Sequence, residues 1–587
     1  MVEFDFDSEE LMLKLQAIRK KAVRLSMYRL GVFFGMAAVL ILGLAEHPIW
    51  FAPGILAAWF FIKLVGWYNF QKDQEAIYLS LQKMGDQADK RIKRTLSGLD
   101  SGSEYSEKNH PFSSDLDLFG DHSLFQLLNH TVSKGGKDRL ASLMKRRFDR
   151  EESTARAEAV SELAGKHLFL QAMEASGLAF RKDEISGKWT EWLGQPEKSS
   201  SLYRLLSVAG PVGGVSLLVL VFMGIIPEAA LGIWILTGVG LLSRIFHPLK
   251  AAAEAIPSAT TLQSFLVRTE LIEKEDFLSS ALRKEKAALS GSGVGASVLL
   301  RELDQLGLWA QNRINLLYLP INLLFWTDFL LFIRLSAWKN RVGQSLSHLP
   351  ENLENWEVWV SLGAFESELE GSGKFDWTDG VGLSGQDLTH PLIAPGKAIG
   401  NSVDFDPSRK IVILTGANMS GKTTFMRTLG INCVLGNLGL SPFGKSLTLG
   451  PIQLYTSMRN SDNLGESVSS FYAELSRIHQ LIERLESGEP LFFLLDEILK
   501  GTNTQDRVSG SEALILQILK TKGFGIISTH DIELSSLEKS VEKVINYSFH
   551  SEILDQTIHF DYKIKNGPCP SFNAHKLMEL MGIKFQN

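Results

Sequence analysis

Cysteine is scarce in this sequence, which has only Cys433 and Cys569 in 587 residues. Two cysteines are too few for a disulfide framework or for a zinc site built from cysteines. We therefore expect the soluble part of the chain to lie in a reducing compartment. An excess of positive charge is also lacking, because the formal net charge is −6. Any contact with nucleic acid would have to come from a local basic surface.

We also expect no cleavable signal peptide. The basic stretch from Lys14 to Arg29 leads directly into an apolar run, without a small-residue cleavage pattern. The first apolar segment is therefore expected to remain as an anchor. Hydrophobic residues make up 45% of the chain, and the mean hydropathy is +0.03. This balance predicts a few membrane segments attached to a soluble body of roughly three or four domains.

Four long apolar segments predict two transmembrane hairpins. The segments are 30–45, 49–68, 205–226 and 229–246. The short turn inside each pair lacks Lys and Arg, whereas both residue types flank the outer ends of the pairs. The positive-inside bias therefore places the turns outside and the remaining chain in the cytoplasm, as in a multi-pass protein of the cytoplasmic (inner) membrane. The alternative is a pair of buried core hairpins in a soluble protein.

A fifth apolar stretch, residues 314–335, carries Pro320, Asn322 and Asp328. A carboxylate near the middle of a bilayer costs about 2.5–3.5 kcal/mol on insertion scales. A fifth crossing would also place the nucleotide-binding motifs described below outside the cell, away from ATP. We therefore expect a buried helix of the soluble part, and membrane embedding is the alternative.

The segment "GANMSGKT" at residues 416–423 fits the phosphate-loop pattern G-x-x-x-x-G-K-[ST], directly after the apolar run 411–414. Such a loop needs a strand before it, glycines that let backbone N–H groups surround phosphate, and a helix behind it. Lys422 would then reach the β- and γ-phosphates of ATP, and the Thr423 hydroxyl would ligate Mg²⁺. The predicted ATP-binding residues are Gly416, Ala417, Asn418, Met419, Ser420, Gly421, Lys422, Thr423 and Thr424. A chance glycine-rich turn is the alternative.

A second motif, "PLFFLLDEILKGTN" at residues 490–503, places two carboxylates after an apolar strand. Asp496 is predicted to hold the metal, and Glu497 to orient or deprotonate the attacking water. A third apolar strand in 523–531 ends near His530, which is predicted to sense the γ-phosphate. The alternatives are an acidic helix N-terminus for the carboxylates and a structural role for the histidine.

These motifs resemble those of the MutS family, the mismatch-repair ATPases. The segments that carry the resemblance are "THPLI" (389–393), "GNSVDF" (400–405), "GANMSGKTTFMR" (416–427), "ESVSSFYAEL" (466–475), "LLDEILKGTNTQD" (494–506) and "STHDIEL" (528–534). The resemblance implies an α/β P-loop ATPase of the ABC/MutS type with a mostly parallel sheet. It also implies a homodimer in which Ser469 reaches the ATP of the opposite subunit; the alternative for residues 466–475 is the start of an amphipathic helix that its serines only cap. Asn418 and the turn from Thr502 to Asp506 would then line the shared site.

The chain also differs from transporter ATPases and resembles the helical domains of the MutS family. A transporter ATPase would carry an LSGGQ-like signature before the Asp-Glu strand, but that place holds Ser469-Ser470-Phe471. Together with only four short-looped spans, this disfavours an ABC-type transporter. Residues 115–186 and 298–366 resemble more weakly the family's helical core and lever, which implies an all-α domain beside the ATPase.

The family's mismatch reader, with its Phe-x-Glu wedge, is expected to be missing, because residues 1–114 hold a membrane hairpin instead. The expected regions are a basic cytoplasmic segment at 1–29, hairpins at 30–68 and 205–246, helical core and lever regions at 69–204 and 247–370, and the ATPase domain at 371–587. The resulting hypothesis is a membrane-anchored MutS-like ATPase that uses ATP and Mg²⁺ and binds DNA without mismatch selectivity. The alternative is an ATP-driven conformational switch that acts on a membrane or protein partner. Candidate phosphate contacts are the clusters Lys145-Arg146-Arg147 and Arg91, Lys93 and Arg94. The alternatives for these clusters are solvated helix faces or cytosolic flanks of the membrane segments.

Overall fold

The structure is a computed structural model, and it falls into two compact units. The described residues are 8–46, 48–180, 188–195, 197, 200–289, 295–313, 318–342, 345–368, 373–406, 408–458, 470–554 and 557–570. The first unit comprises Met1–Asp86, Thr131–Gly136 and Lys166–Val360. The second comprises Gln87–His130, Lys137–Gly165 and Ser361–Asn587. The second unit thus joins parts of the predicted core-like region to the predicted ATPase domain, and the six predicted regions stay predictions.

The described elements follow in chain order. The helices are α1 (Ser8–Ala45), α2 (Phe51–Lys93), α3 (Leu124–Leu128), α4 (Lys134–Met144), α5 (Arg150–Ala164), α6 (His167–Phe180), α7 (Lys188–Gly194), α8 (Ser201–Phe222), α9 (Ala229–Ala255), α10 (Ala259–Lys274), α11 (Ser280–Ala288), α12 (Ala296–Asn312), α13 (Tyr318–Phe325), α14 (Thr327–Val342), α15 (Leu349–Glu368), α16 (Lys422–Asn437), α17 (Ser470–Glu486), α18 (Thr504–Ile518) and α19 (Leu537–Ser540). The strands are β1 (Lys374–Trp377), β2 (Leu383–Leu388), β3 (Asn401–Phe405), β4 (Ile411–Gly416), β5 (Ser446–Leu449), β6 (Gln453–Ser457), β7 (Leu491–Asp496), β8 (Phe524–Ser528), β9 (Val544–Leu554) and β10 (Thr557–Asn566).

In the first unit, α1 and α2 run antiparallel as long continuous helices. Leu11 near the start of α1 shares a buried cluster with Leu81 near the end of α2. Arg19 Nε donates to Glu75 Oε1 over 2.7 Å, between the same two helices. The pairing therefore continues well beyond the predicted apolar segments into their polar extensions.

Three described helices are long and apolar enough to cross a membrane. They are Glu10–Gly43, Ser201–Phe222 and Ala229–Ala255, and the bent pair α13–α14 would make a fourth. The helix α2, which contains most of the predicted segment 49–68, is not among them. The helical lengths thus suit three of the four predicted segments, and the crossing of a bilayer stays a prediction.

The prediction of a single helix over residues 314–335 is wrong. The described part of this stretch contains two helices, α13 and α14, which are bent by 87° relative to each other. Trp326, between them, has a left-handed backbone with φ of +50°, a conformation that a helix cannot continue through. The Asp328 side chain is buried, as expected for this stretch.

The second unit contains a six-stranded sheet in the order β10-β9-β4-β8-β7-β6. Every neighbouring pair is parallel except β9 with β10. The strand β4 is buried along its whole length, which explains its unbroken apolar sequence. A smaller mixed sheet has the order β1-β5-β2-β3. Mixed sheets beside a helical majority fit the predicted α/β class with an additional helical part.

Parallel pairing places the ends of three strands at one edge of the large sheet. Gly416 ends β4, Asp496 ends β7 and Ser528 ends β8. The carboxyl ends of parallel strands are the usual position for ligands in open α/β sheets. The fold therefore brings the phosphate-loop motif and the Asp-Glu motif together.

Candidate nucleotide site

The phosphate loop leaves β4 and enters α16 through backbone conformations that suit glycine. Gly416 has φ of +154° and Gly421 has φ of +107°. A Cβ atom on Gly416 would lie 2.8 Å from the Phe549 carbonyl oxygen and from Ser420 Oγ. Met419 also has a positive φ, of +65°, and its side chain is exposed. The loop therefore has the close backbone approach that binding of phosphate by N–H groups requires.

Lys422 begins α16 and lies over the phosphate loop. Its Nζ donates to the carbonyl oxygens of Gly416, over 2.8 Å, and Ala417, over 3.2 Å. Burial lowers the pKa of Lys422, and the nearby Glu497 and Asp496 oppose this shift. The Lys422 side chain therefore lies at the phosphate loop, where the sequence predicts it.

The two predicted metal ligands are in direct contact. Thr423 Oγ1 donates to Asp496 Oδ2 over 2.5 Å, and Ser528 Oγ donates to Asp496 Oδ1 over 2.5 Å. Among the described residues there is no group of three or more His, Cys, Asp or Glu side chains that could hold a metal ion. Magnesium is commonly held by one or two carboxylates together with substrate phosphates and water. The oxygen donors of Thr423 and Asp496 therefore fit a magnesium ion that arrives with a nucleotide.

Glu497 is held in place by two neighbouring side chains, His530 and Lys500. His530 Nε2 lies 2.8 Å from Glu497 Oε1, and Lys500 forms an ion pair with the other carboxylate oxygen. A carboxylate is only an acceptor, so the imidazole must donate this hydrogen bond. The hydrogen bond from His530 and then Lys500 lower the pKa of Glu497 to about 2, although burial opposes them. Glu497 is therefore ionised and better suited to orienting water than to removing a proton from it.

The turn after Glu497 is strained and is held by α17. Glu497 has φ of +52° and Leu499 has φ of +61°, both in the left-handed region. The Glu474 carboxylate of α17 accepts a hydrogen bond from Leu499 N. Gly501 packs against the Phe471 side chain, which lies 2.5 Å from where a Cβ atom on Gly501 would be. Glu474 has no role that the sequence predicts, because nothing in its motif indicates its partner.

The predicted Thr502–Asp506 turn leads into α18. Asn503 caps this helix, and its side chain accepts from Asp506 N over 2.9 Å. The Asp506 carboxylate accepts from Asn503 Nδ2 over 2.7 Å and is exposed. Its predicted place in a site shared between two subunits stays a prediction. Ser469, the predicted contact to the opposite ATP, lies outside the described residues.

A cavity of about 250 Å³ adjoins the phosphate loop. Its lining residues are His390, Ile393, Lys397, Ile399, Asn401, Gly421, Thr424, Phe425, Thr428, Phe549 and Tyr562. His390 and Asn401 belong to motifs that the sequence analysis noted without assigning roles. Burial lowers the pKa of His390 to about 4, so this imidazole is neutral at pH 7. Tyr562 was missed, because only folding brings it to Gly421, where a Cβ atom would lie 3.1 Å from its ring.

The basic side chains predicted to contact phosphate bind other groups of the second unit. Arg94 Nε donates to Pro391 O over 2.6 Å, next to the cavity residue His390. Arg91 donates to Asn129 O over 2.7 Å, and both arginine side chains are buried. As candidate phosphate contacts, Arg91 and Arg94 are therefore wrong.

The cluster at residues 145–147 is more exposed but is paired with acidic side chains. The ion pairs are Lys145 with Glu107 over 3.4 Å, Arg146 with Glu152 over 2.7 Å and Arg147 with Glu489 over 2.5 Å. Contact with phosphate there would compete with these carboxylates.

The matching family model covers the strands that hold this site. Residues 412–583 match MutS domain V. Over these residues the chain is similar to the ATPase domain of the MutS family. The matched range includes every predicted catalytic and ATP-binding residue, and the first unit lies outside it.

Proposed function

We propose that this chain is a membrane-anchored ATPase of the MutS type, which hydrolyses ATP with Mg²⁺ and acts as a homodimer. The observation that carries the proposal is the meeting of Thr423, Asp496, Glu497 and His530 at one edge of the parallel sheet. Hydrogen bonds join Thr423 to Asp496 and Glu497 to His530. Both pairs belong to the site that contains the phosphate loop. This is the set of groups that phosphoryl transfer to water needs.

In the proposed reaction, backbone N–H groups of residues 416–421 surround the β- and γ-phosphates. Lys422 exchanges its bonds to loop carbonyls for bonds to phosphate oxygens and so stabilises the charge that develops there. Thr423 and Asp496 would hold Mg²⁺, which supplies charge neutralisation on the phosphate oxygens when it is bound. The cavity beside Gly421 takes the nucleoside part, with the neutral His390 and the Tyr562 ring as its walls.

The attacking water is oriented by Glu497 in this proposal. The ion pair with Lys500 and the hydrogen bond from His530 keep the carboxylate ionised and fixed in direction. His530 is the predicted sensor of the γ-phosphate. Because its imidazole is hydrogen-bonded to Glu497, a change at the phosphate would be passed to that carboxylate.

Nucleotide binding and turnover by two variants test the proposed ATPase. Lys422→Ala should weaken ATP binding, whereas Glu497→Gln should retain binding and slow hydrolysis by about 10²–10⁴-fold. Lys539→Ala and Glu533→Gln, both at exposed positions, are the matched controls. Equal turnover in Glu497→Gln and Glu533→Gln would remove Glu497 from the reaction.

DNA is the proposed ligand of the assembled protein, bound without preference for mismatches. Support for DNA binding comes from the MutS domain V match, and the lack of mismatch preference rests on the sequence expectation that residues 1–114 hold a membrane hairpin in place of a mismatch reader. Contacts would then be mainly to phosphate, so the affinity should fall steeply with salt. Perfect and G·T duplexes should differ by less than about tenfold, or 1.4 kcal/mol, at fixed salt.

The second candidate is an ATP-driven switch that acts on a membrane or protein partner. The burial of Arg91 and Arg94 and the ion pairing of residues 145–147 favour it, because they engage the basic side chains expected to contact DNA. Titration with perfect, mismatched and branched DNA, with and without ATP, separates the two candidates. Active ATP hydrolysis without salt-dependent binding to any of these DNA forms would favour the switch.

A further inference from the structure

The broken helix α13–α14 packs against the hairpin formed by α8 and α9. A Cβ atom on Gly210 of α8 would lie 2.6 Å from Trp326 Cβ, and one on Gly214 would lie 2.3 Å from Leu324 O. On α9, a Cβ atom on Gly238 would lie 2.4 Å from Trp326 Nε1. Small residues that allow backbones to approach closely are typical of helix contacts inside membranes.

The backbone polar groups at the break between α13 and α14 make hydrogen bonds. Trp326 N donates to Asn322 O over 2.7 Å, and Asp328 N donates to Asn322 Oδ1 over 2.9 Å. From α9, Trp234 Nε1 donates to Leu324 O over 2.8 Å, and its ring stacks on Trp326 at a centroid distance of 4.1 Å. Irregular backbone at membrane depth is tolerated only where protein satisfies and covers it. The break in this segment meets that condition.

The Asp328 carboxylate, which argued against membrane embedding, is paired with an arginine. Arg313 binds Asp328 through two nitrogens, with Nε–Oδ1 of 2.9 Å and a second nitrogen 2.7 Å from Oδ2. Tyr318 OH donates to Asp328 Oδ1 over 2.8 Å. The Asp328 side chain is only 3% exposed. Charges within membrane segments are normally paired in this way and face protein.

The contacts also fix the depth of the segment along the hairpin. Gly214 is 13 residues from the first residue of α8, or about 20 Å along a helix of about 33 Å. Leu324 therefore lies near the middle of α8. The residues on both sides of the α13–α14 break lie near those ends of α8 and α9 that are remote from the 223–228 turn. Phe329 contacts Tyr203 of α8 with a ring centroid distance of 5.6 Å, and the Arg313 guanidinium lies 5.9 Å from the Phe246 ring of α9.

We propose that residues 318–329 form a re-entrant membrane segment, which enters and leaves the bilayer on the side remote from the 223–228 turn. Leu319 and Ile321 of α13, which are 54% and 49% exposed, contact lipid acyl chains. The inference rests on the proposed membrane anchoring by α8 and α9. Because a re-entrant segment does not cross the bilayer, the ATPase stays on the same side as with four spans.

Single cysteines introduced at Leu319 and Ile321 of the full-length chain, in native membranes, test the segment with a water-soluble maleimide. Val298→Cys on α12 (45% exposed) is the aqueous reference, and Val212→Cys on α8 (61% exposed) is the bilayer reference. The native Cys433 and Cys569 are buried, which keeps the background low. Leu319→Cys and Ile321→Cys should react at least about tenfold more slowly than Val298→Cys, because a thiol in hydrocarbon is neither ionised nor reached by the reagent.

The outcomes separate the segment from the anchor. Fast reaction at residues 319 and 321 with a protected Val212→Cys would overturn the re-entrant segment alone. Fast reaction at Val212→Cys would overturn the membrane anchoring and this inference with it. In the Leu319→Cys chain, Gly214→Val should remove the protection at residue 319, whereas Gly232→Val should not, because a Cβ atom at Gly232 meets nothing within 4 Å.

Discussion

Glu497 lies between an imidazole and an ammonium group, and this arrangement sets its protonation. His530→Ala removes the largest cause of its lowered pKa, so the pKa should rise from about 2 toward the ordinary value of a glutamate. A carboxylate with a higher pKa begins to take up a proton at higher pH. The acidic limb of kcat for ATP hydrolysis should therefore move to higher pH, and kcat itself should fall.

Turnover measured from about pH 4 to 8 in the full chain checks this shift, since free glutamate titrates near 4.3. His479→Ala, which changes an exposed histidine of α17, is the matched control. Parallel pH profiles for the wild type and His530→Ala would contradict the assignment.

Glu474 acts on the same turn from α17. Glu474→Ala removes the acceptor for Leu499 N and should relax the left-handed turn that orients Glu497. We expect kcat to fall by roughly tenfold or more with little change in KM, in proportion to the loss of one charged hydrogen bond. Glu474→Gln should restore most of kcat, because an amide oxygen also accepts. Glu483→Ala on the same helix is the control, and an unchanged kcat in Glu474→Ala would count against the role.

The residues of the site differ in how far the sequence predicts them. The phosphate loop, Asp496 and Glu497 belong to short contiguous motifs whose chemistry is local. Glu474 meets Leu499 across 25 residues, and Asn401 meets Tyr562 across 161. Contacts of this kind depend on strand order and on helix packing, which no local pattern contains.

Among the helices of the first unit, a buried ion pair connects α10 and α15. Arg268 donates to Glu357 Oε1 over 2.6 Å, and Ser133 N donates to Glu357 Oε2 over 2.7 Å. Burial alone would raise the pKa of Glu357, but Arg268 and Ser133 hold it below its ordinary value. The pair therefore stabilises the fold above the pKa of the unfolded glutamate, and this contribution is lost as the pH falls through the lower folded pKa.

Glu357→Gln should leave the Arg268 charge buried without its counter-ion and cost about 3–5 kcal/mol at pH 7. Denaturant unfolding in detergent at pH 7 and at acidic pH measures both the cost and its pH dependence. The difference between the wild type and Glu357→Gln should shrink on the acidic side. Glu351→Gln, at an exposed position of α15, should change little. A cost below about 1 kcal/mol would be typical of an exposed pair and would contradict this account.

The elements also show where sequence patterns stop being sufficient. The strands β4, β7 and β8 were predictable, because strands buried on both faces are apolar throughout. The break at Trp326 was not, because its left-handed backbone depends on Trp234 and on glycines in two other helices. Apolar periodicity predicts a helix there equally well with or without a bend.

For the whole molecule, the proposed topology places only the hairpin turns outside the cell. A cysteine introduced at Glu228 should react with an impermeant reagent in intact cells, and one at Asn340 should not. Permeabilised cells provide the control, because Asn340 is exposed and should then react. Equal reaction at both positions in intact cells would contradict the topology.

The long pairing of α1 with α2 has a consequence for how two copies meet. The helices remain packed from their apolar segments to Leu11 and Leu81, so the proposed anchor continues as a stiff stalk, unlike a slack tether. Copies anchored in this way would diffuse in two dimensions, within the plane of the membrane. Confinement of this kind raises the effective concentration of one partner for the other. Assembly of a shared ATP site would then follow the number of chains per area of membrane, and so would ATP turnover.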